Sequence, residues 1–515
     1  MSFPENSNPD SYPDPNQNPN PNQSQEYPYA EAYTPGASSG AAPKKPPRRG
    51  LSISGVFSWI VVLGLTSLIF GTVFFIQAAQ EQEVGGDATP MDLMQIQIQA
   101  KAHVGQESMN QNAPPVSPML DTGPYEQRLC YTILLNETES STSALAHLEE
   151  LDKKAAKADL KLTENQKRLR SVVQELMESY DSGNSDSSLI PKEDREFLKE
   201  RLGYVGEVAL YPKDSPHTTE RSNVNSQAKT LMIFGLLMLI GGFLVVSGGF
   251  VLALVLGVMF FTGKIRSKFQ NHYTDHNIYI ETFAIWMAVF FGSSLLLDLL
   301  SSQVDLPLMM LQPIIFFGSL TALCWPVIRG VPFSQVRKDI GWTFGNPIKE
   351  LSSGVWVYLS TIPFLIPGFI ALFVIVLILS GFAATPQEFG RQAGPGHPIQ
   401  EDIMTGDLVT VFCVFLATCV AAPVVEETMF RGVLYRHLRD VTSGWALGVS
   451  VVFSALLNAV IFASIHPQGV MAVPLLATLA VGFTIARQWR DSLMSSMAMH
   501  AIHNFGITCI SVLIL

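Results

Sequence analysis

Pro423-Val424-Val425-Glu426-Glu427-Thr428-Met429-Phe430-Arg431-Gly432 sets two adjacent carboxylates and an arginine directly behind an apolar run that reads as a membrane-crossing helix. Two more polar islands follow in later apolar segments, Phe462-Ala463-Ser464-Ile465-His466 and His500-Ala501-Ile502-His503-Asn504. A central charge in a membrane helix costs about 2.5–3.5 kcal/mol on the insertion scale, so such groups rarely stand idle. Glu427 and Arg431 are four apart and pair on a helix. Glu426, roughly 100° around the helix, is then left to take a proton from water. The competing reading is a surface salt bridge at a helix start, against which stand the apolar neighbours Val424, Val425, Met429 and Phe430. His466 precedes Pro467 and could by itself serve as an end-capping group. His500 and Asn504 share a helix face, whereas His503 points elsewhere.

The rest of the chain supports a membrane setting. Of 515 residues, 48% are hydrophobic and only 15% charged, the mean hydropathy is +0.25, and the apolar residues fall in blocks. Expected spans are 53–76, 231–261, 282–300, 306–328, 355–380, 406–424, 445–465, 470–486 and 492–515. Lys44-Lys45-Pro46-Pro47-Arg48-Arg49 before the first span places the N-terminus in the cytoplasm. Lys264, Arg266 and Lys268, then Arg329, Arg337, Lys338 and Lys349, mark later cytoplasmic loops. The loop 381–405 is poor in Lys and Arg and is expected outside, with 426–440 at the cytoplasmic face. On that count His466 would end about 30 Å from Glu426, unless 424–440 tilts or re-enters and the late helices are short and oblique.

Residues 1–50 are rich in Pro, Asn, Gln and Ser, a composition expected to be disordered and to end in the polybasic stretch. The first span, 51–77, reads as an uncleaved anchor. Segment 78–229 is polar and acidic, and carries much of the net charge of −11. Leu148, Ala155, Leu162, Leu169 and Leu176 recur every seven residues, with Leu151, Ala158, Asn165 and Val172 three positions on. This seam predicts a helix of about 35 residues, a coiled coil over 145–180 that pairs internally, with a second copy or with a partner. A second helix is expected over 188–202, with Pro191 in its first turn and Gly203 at its end. The five cysteines, Cys130, Cys324, Cys413, Cys419 and Cys509, are scattered and give neither a disulfide framework nor a cysteine metal site. No basic groove for nucleic acid is present.

Glu426-Glu427-xxx-Arg431, Phe462-xxx-His466 and His500-xxx-Asn504, in that order on successive helices, resemble the motifs of the CPBP intramembrane protease family. That family includes the type II CAAX prenyl proteases and relatives of bacteriocin immunity. The resemblance covers 340–515, behind membrane helices in 230–339. The residues themselves read as an all-α, polytopic membrane bundle of the inner (plasma) membrane with 78–229 as an extracytoplasmic helical insert, and the resemblance has no bearing on the tail, the anchor or that insert. The resemblance implies peptide hydrolysis, with Glu426, Glu427, Arg431, His466, His500 and Asn504 as the catalytic set. The expected substrate is a membrane-associated or lipidated protein or peptide. By the family's pattern Glu426 activates water, while His500 and Asn504 stabilise the oxyanion. Zinc on Glu426, His466 and His500 is compatible with three ligands and an open position; a metal-free, glutamate-driven reaction is the alternative. HExxH, GxSG and GxGD signatures are absent. A reading from another class, a non-catalytic scaffold or receptor working through the coiled coil, is opposed by the intact Glu426, His466, His500 and Asn504.

Overall fold

A computed structural model describes residues 51–81, 85–109, 115–269, 276–301, 308–382, 389–390, 403 and 406–514. The expected disordered tail, its polybasic end and most of the loop 381–405 lie outside the described residues. Among the described residues the chain is helical, with no strand. Eight helices are long and apolar enough to cross a bilayer, so this is a multi-pass membrane protein.

The first is α1 (Ile53–Glu81). It leads to a helical domain of α2 (Pro90–Ser108), α3 (Tyr125–Thr138), α4 (Ser141–Lys157), α5 (Glu164–Asp181) and α6 (Lys192–Leu210). Thr89 starts α2 through a reciprocal capping box with Asp92, and Pro90 occupies the first turn where its missing N–H costs nothing. Next comes α7 (Thr218–Phe261), about 66 Å long at 1.5 Å per residue. Its first turns belong to the domain core through Val224 and Ala228, and its remainder is a membrane span.

The single long helix expected over the seven-residue repeat is not formed. The chain breaks after Lys157, Asp159 turns left-handed at φ 51°, and Thr163 opens α5 with a capping box to Gln166. The same apolar residues instead face one another in an antiparallel pair: Leu148, Leu151 and Ala155 from α4, and Leu169, Val172 and Leu176 from α5, are buried in the domain's own core. The seam is consumed within one chain. Pro191 does precede α6 as expected, and Gly203, at φ 55°, ends its first helical stretch as expected; a second stretch follows directly to Leu210. The helices α2 and α3 were not foreseen.

The bundle continues with α8 (His276–Ser301), then α9 (Leu308–Ser319), which runs through a tight turn into α10 (Cys324–Ile328). A short α11 (Phe333–Ile340) precedes α12 (Pro347–Thr361), which leads into α13 (Leu365–Phe382). The following span is one continuous helix, α14 (Leu408–Val441). The last three helices are α15 (Leu447–Ser464), α16 (Gly469–Arg490) and α17 (Met494–Ile514). The ninth expected span corresponds to α17, which is not among the eight and whose first half carries His500, His503 and Asn504. The expected end of a span at 424, with 426–440 lying at the surface, is corrected: the helix runs unbroken to Val441. Glu426 therefore sits about 22 Å from that end. Since α15 returns over 18 residues, about 27 Å, His466 at its far end comes level with Glu426. The expected 30 Å gap does not exist.

Two contacts tie the domain to the bundle. Gly249 of α7 lies so close to α12 that a Cβ there would sit 2.2 Å from the Leu359 carbonyl. Phe389, from the segment between α13 and α14, is 2% exposed in the helical domain's core; the Arg128 guanidinium lies 4.4 Å over its ring.

In the helical domain, Asp121 is an electrostatic junction, with His147 at 3.3 Å, Lys154 at 3.1 Å and Arg128 at 3.8 Å. Burial works to raise its carboxyl. Hydrogen bonds from His147 and Lys154, with the charges of His147 and Arg128, outweigh burial and hold it below the ordinary value. A carboxylate held low stabilises the fold above the unfolded-state value of about 3.9, and that contribution is lost as pH falls through the lower folded value. Asp121→Asn should therefore lower the melting temperature by a few degrees at neutral pH, and the gap to wild type should narrow as pH falls below the unfolded-state value of about 3.9. Thermal melts of both proteins across that range check it; a gap independent of pH would refute the electrostatic origin.

Candidate active site

α14 is not a regular α-helix. Two π-helical stretches, Ala417–Ala421 and Glu427–Leu434, flank a short α-helical piece, Ala422–Glu426. Wide turns of this kind loosen the i→i−4 ladder and leave carbonyls that neighbouring side chains can reach. Two are reached here from other helices. The Thr418 carbonyl accepts from Asn504 Nδ2 at 2.7 Å, and the Phe430 carbonyl from Asn458 Nδ2 at 2.7 Å. The Val424 carbonyl accepts from the Thr428 hydroxyl at 2.6 Å, which in turn accepts from Trp342 Nε1 at 2.9 Å.

The expected pair forms deep inside the bundle: Arg431 Nη1 donates to Glu427 Oε1 at 3.0 Å, with both side chains 0% exposed. A second bond, from Arg431 Nη2 to the Ala480 carbonyl at 3.3 Å, ties the guanidinium to α16. The aromatic rings of Phe462 and Phe483 lie 4.4 and 5.0 Å from it, so its flanks meet π-faces in place of water. Glu427 Oε1 also receives His500 Nδ1 at 3.0 Å. The His500 ring stacks on Phe483, with centroids 4.9 Å apart and planes at 16°. Position and tilt of that imidazole are thus fixed by a carboxylate on one side and a ring on the other.

Glu426 faces the other way. Its Oε2 lies 3.8 Å from His466 Nε2 and 3.9 Å from His500 Nε2, and it is a buried carboxylate oxygen with no hydrogen-bond partner. The His466 Nδ1 sits 2.6 Å from the Phe462 carbonyl. A carbonyl and a carboxylate can only accept, so Nδ1 is the donor nitrogen in both histidines, and in the neutral rings Nε2 presents its lone pair to Glu426. Three electron-rich atoms therefore converge beside a helix at membrane depth, with Glu426 Oε2 3.8 and 3.9 Å from the two ring nitrogens, close enough for one water lying beside them to bond to two at once. Glu426 and His466 keep 15% and 16% of their side chains exposed, which makes this edge the approach to the site.

Of the expected set, Glu426, Glu427, Arg431, His466 and His500 come together. Asn504 lies on the same α17 face as His500, and its Nδ2 donates to the Thr418 carbonyl. His503 turns away, toward Tyr358 at 3.3 Å. Phe483, Asn458 and Trp342 were missed: each is a common residue in an apolar run or a loop, and the only signal, the spacing Asn458, Phe462, His466 at four-residue steps, is ordinary for one helix face. The donor types of Glu426, His466 and His500 suit zinc. Their 3.8 and 3.9 Å separations exceed the edges of about 3.3 Å of a tetrahedral zinc site, and among the described residues no three His, Cys, Asp or Glu are already drawn around a metal position.

Residues 408–506 match the family described as type II CAAX prenyl endopeptidase Rce1-like. The match spans about a fifth of the chain, begins at α14 and ends in α17, and is narrower than the 340–515 expected from the motifs. The C-terminal part thus carries a CAAX-protease-type domain, a family of membrane peptidases. No curated protein and no solved structure matches the chain.

Removing Arg431 alone would strand the Glu427 carboxylate in the interior, a loss of about 3–5 kcal/mol for a buried pair. Arg431→Met should abolish the monodisperse detergent-solubilised species, and Arg431→Met combined with Glu427→Gln should restore most of it. Size-exclusion profiles of the single and double variants decide this; equal behaviour of the two would show that the pair carries no such energy.

Proposed function

We propose that the protein is an intramembrane endopeptidase that hydrolyses peptide bonds of membrane-associated or lipidated proteins or peptides with a water activated by Glu426. The observation that carries this reading is the convergence of Glu426 Oε2 with the Nε2 atoms of His466 and His500, at 3.8 and 3.9 Å, in mid-span. A water in that gap donates one hydrogen to Glu426 and the other to His466, which turns its lone pair outward toward a scissile carbonyl. Glu426 takes the proton as the water oxygen bonds to carbon, and returns it to the leaving amine as the C–N bond breaks. His500, when protonated, carries an Nε2–H that stabilises the oxyanion, its charge supported through Nδ1 by Glu427. Arg431, bonded to Glu427 at 3.0 Å, holds that carboxylate in place for the purpose. Zinc, if held by Glu426, His466 and His500, would act as a Lewis acid on the same water.

The accompanying orientation puts the N-terminus in the cytoplasm and residues 78–229 outside, in the plasma (inner) membrane. Lys264, Arg266, Lys268, Arg337 and Lys338 lie at the bundle end away from the helical domain, in keeping with the positive-inside rule. Phe389, buried in the domain's core, is in keeping with the same orientation.

Glu426→Gln should reduce cleavage of a quenched peptide library by about 10²–10⁴-fold, the usual worth of a general base, with the thermal melt unchanged. Activity that survives a chelator assigns the step to Glu426 and the histidines alone; activity lost to the chelator and restored by zinc assigns the water to a metal. Equal cleavage by wild type and Glu426→Gln would refute the peptidase reading.

A further inference from the structure

Asn458 lies on α15, eight residues before His466 and four before Phe462, so the three share one face toward α14. It is 0% exposed. Its Nδ2 donates to the Phe430 carbonyl at 2.7 Å, while its own Oδ1 is buried with no hydrogen-bond partner. An amide that leaves one end unmet inside an apolar bundle is costly to keep. The bond that it does make is therefore what distinguishes it from an apolar residue of the same size.

That bond falls on a specific point. The Phe430 carbonyl is also the acceptor of the Tyr435 N–H, five residues on, which is the bond that makes this turn π-helical. Asn458 thus holds the outward-tilted carbonyl of the wide turn that carries Glu427 and Arg431. The same side chain locks α15 against α14 in one register. Two turns along from it, His466 meets Glu426, and one turn along, Phe462 covers Arg431. A slide of α15 by a fraction of a turn would separate both pairs together.

On the peptidase reading above, we infer that Asn458 is a positioning residue for the reaction: it clamps the wide turn of α14 and sets the register that places His466 on Glu426. It touches neither substrate nor the reacting atoms. Asn458→Leu keeps the branched shape and the number of heavy atoms and removes the donor. Asn458→Asp can donate to the Phe430 carbonyl only when protonated, and opposes it when ionised.

The test compares wild type, Asn458→Leu and Asn458→Asp in detergent, by peptide cleavage and by hydrogen exchange of the segment 427–435. Asn458→Leu should lower kcat about 10–100-fold, as a small misplacement of catalytic groups does, with KM within about threefold and faster exchange confined to 427–435 while 125–181 is unchanged. Asn458→Asp should lose both kcat and protection as pH rises, through an ionisation absent from wild type and from Asn458→Leu. Unchanged kcat or unchanged exchange in Asn458→Leu would overturn the inference. If that variant fails to fold, the pH dependence of Asn458→Asp decides, a wild-type profile being the adverse result. Should wild type show no Glu426-dependent cleavage, the peptidase reading fails instead, and the clamp is judged on exchange alone.

Discussion

A guanidinium and a carboxylate, both wholly buried at membrane depth, organise the C-terminal half of the bundle. Neither Arg431 nor Glu427 could be placed there alone, since an isolated charge in a medium of low dielectric is far costlier than a pair. Once paired, each has bonding capacity left over, and the fold is arranged around it: Arg431 reaches the Ala480 carbonyl on α16, Glu427 takes His500 from α17, and Phe462 from α15 covers the guanidinium. Three helices are thus brought to α14 by one ion pair. Glu426, the carboxylate proposed to act on water, is the direct neighbour of Glu427 in sequence and inherits a fixed position without sharing those bonds.

Wide turns explain how one helix can serve so many partners. In a regular α-helix each carbonyl is fully engaged along the axis, and side chains from other helices find nothing to hold. The two π-helical stretches of α14 release carbonyls toward α15 and α17, where Asn458 and Asn504 take them. The polar residues nearest Glu426 are consequently of two kinds: those whose nitrogen or oxygen points into the gap, and those whose bond is spent on backbone. Composition cannot separate the two, because both are amides, hydroxyls or imidazoles in apolar surroundings.

Much of this was readable from residue order, and the failures have definite causes. The spacing of Glu427 and Arg431 sufficed for their pairing because four residues bring side chains together on either helix type. Depth was misread because Glu426, Glu427, Arg431, Arg436 and Arg439 look like the surface end of a span when taken one at a time; their partners, some four residues along the same helix and others on neighbouring helices, are what allow the helix to continue to Val441. In the helical domain, the seven-residue repeat was real but belonged to two helices facing each other. The decisive signal was Thr163 with Gln166, a start signal in the middle of the supposed seam.

The same reasoning accounts for the far end of α14, where three more arginines are buried. Arg436 pairs with Asp440 at 2.8 Å and Arg487 with Asp491 at 2.5 Å. Arg439 meets the Ser450 hydroxyl. All three guanidiniums surround the ring of Phe269, at 5.7, 5.7 and 5.0 Å, and that ring arrives on the short segment after α7 whose backbone bonds the Gln488 and Trp489 carbonyls. A helix so rich in charge can lie inside the bundle only because each charge meets a carboxylate, a hydroxyl or an aromatic face. Glu426 is the exception on α14: its Oε2 is left with two imidazoles across a gap. A bundle that provides for its other buried charges and leaves one carboxylate oxygen facing two imidazole nitrogens is the arrangement on which the proposed water chemistry rests.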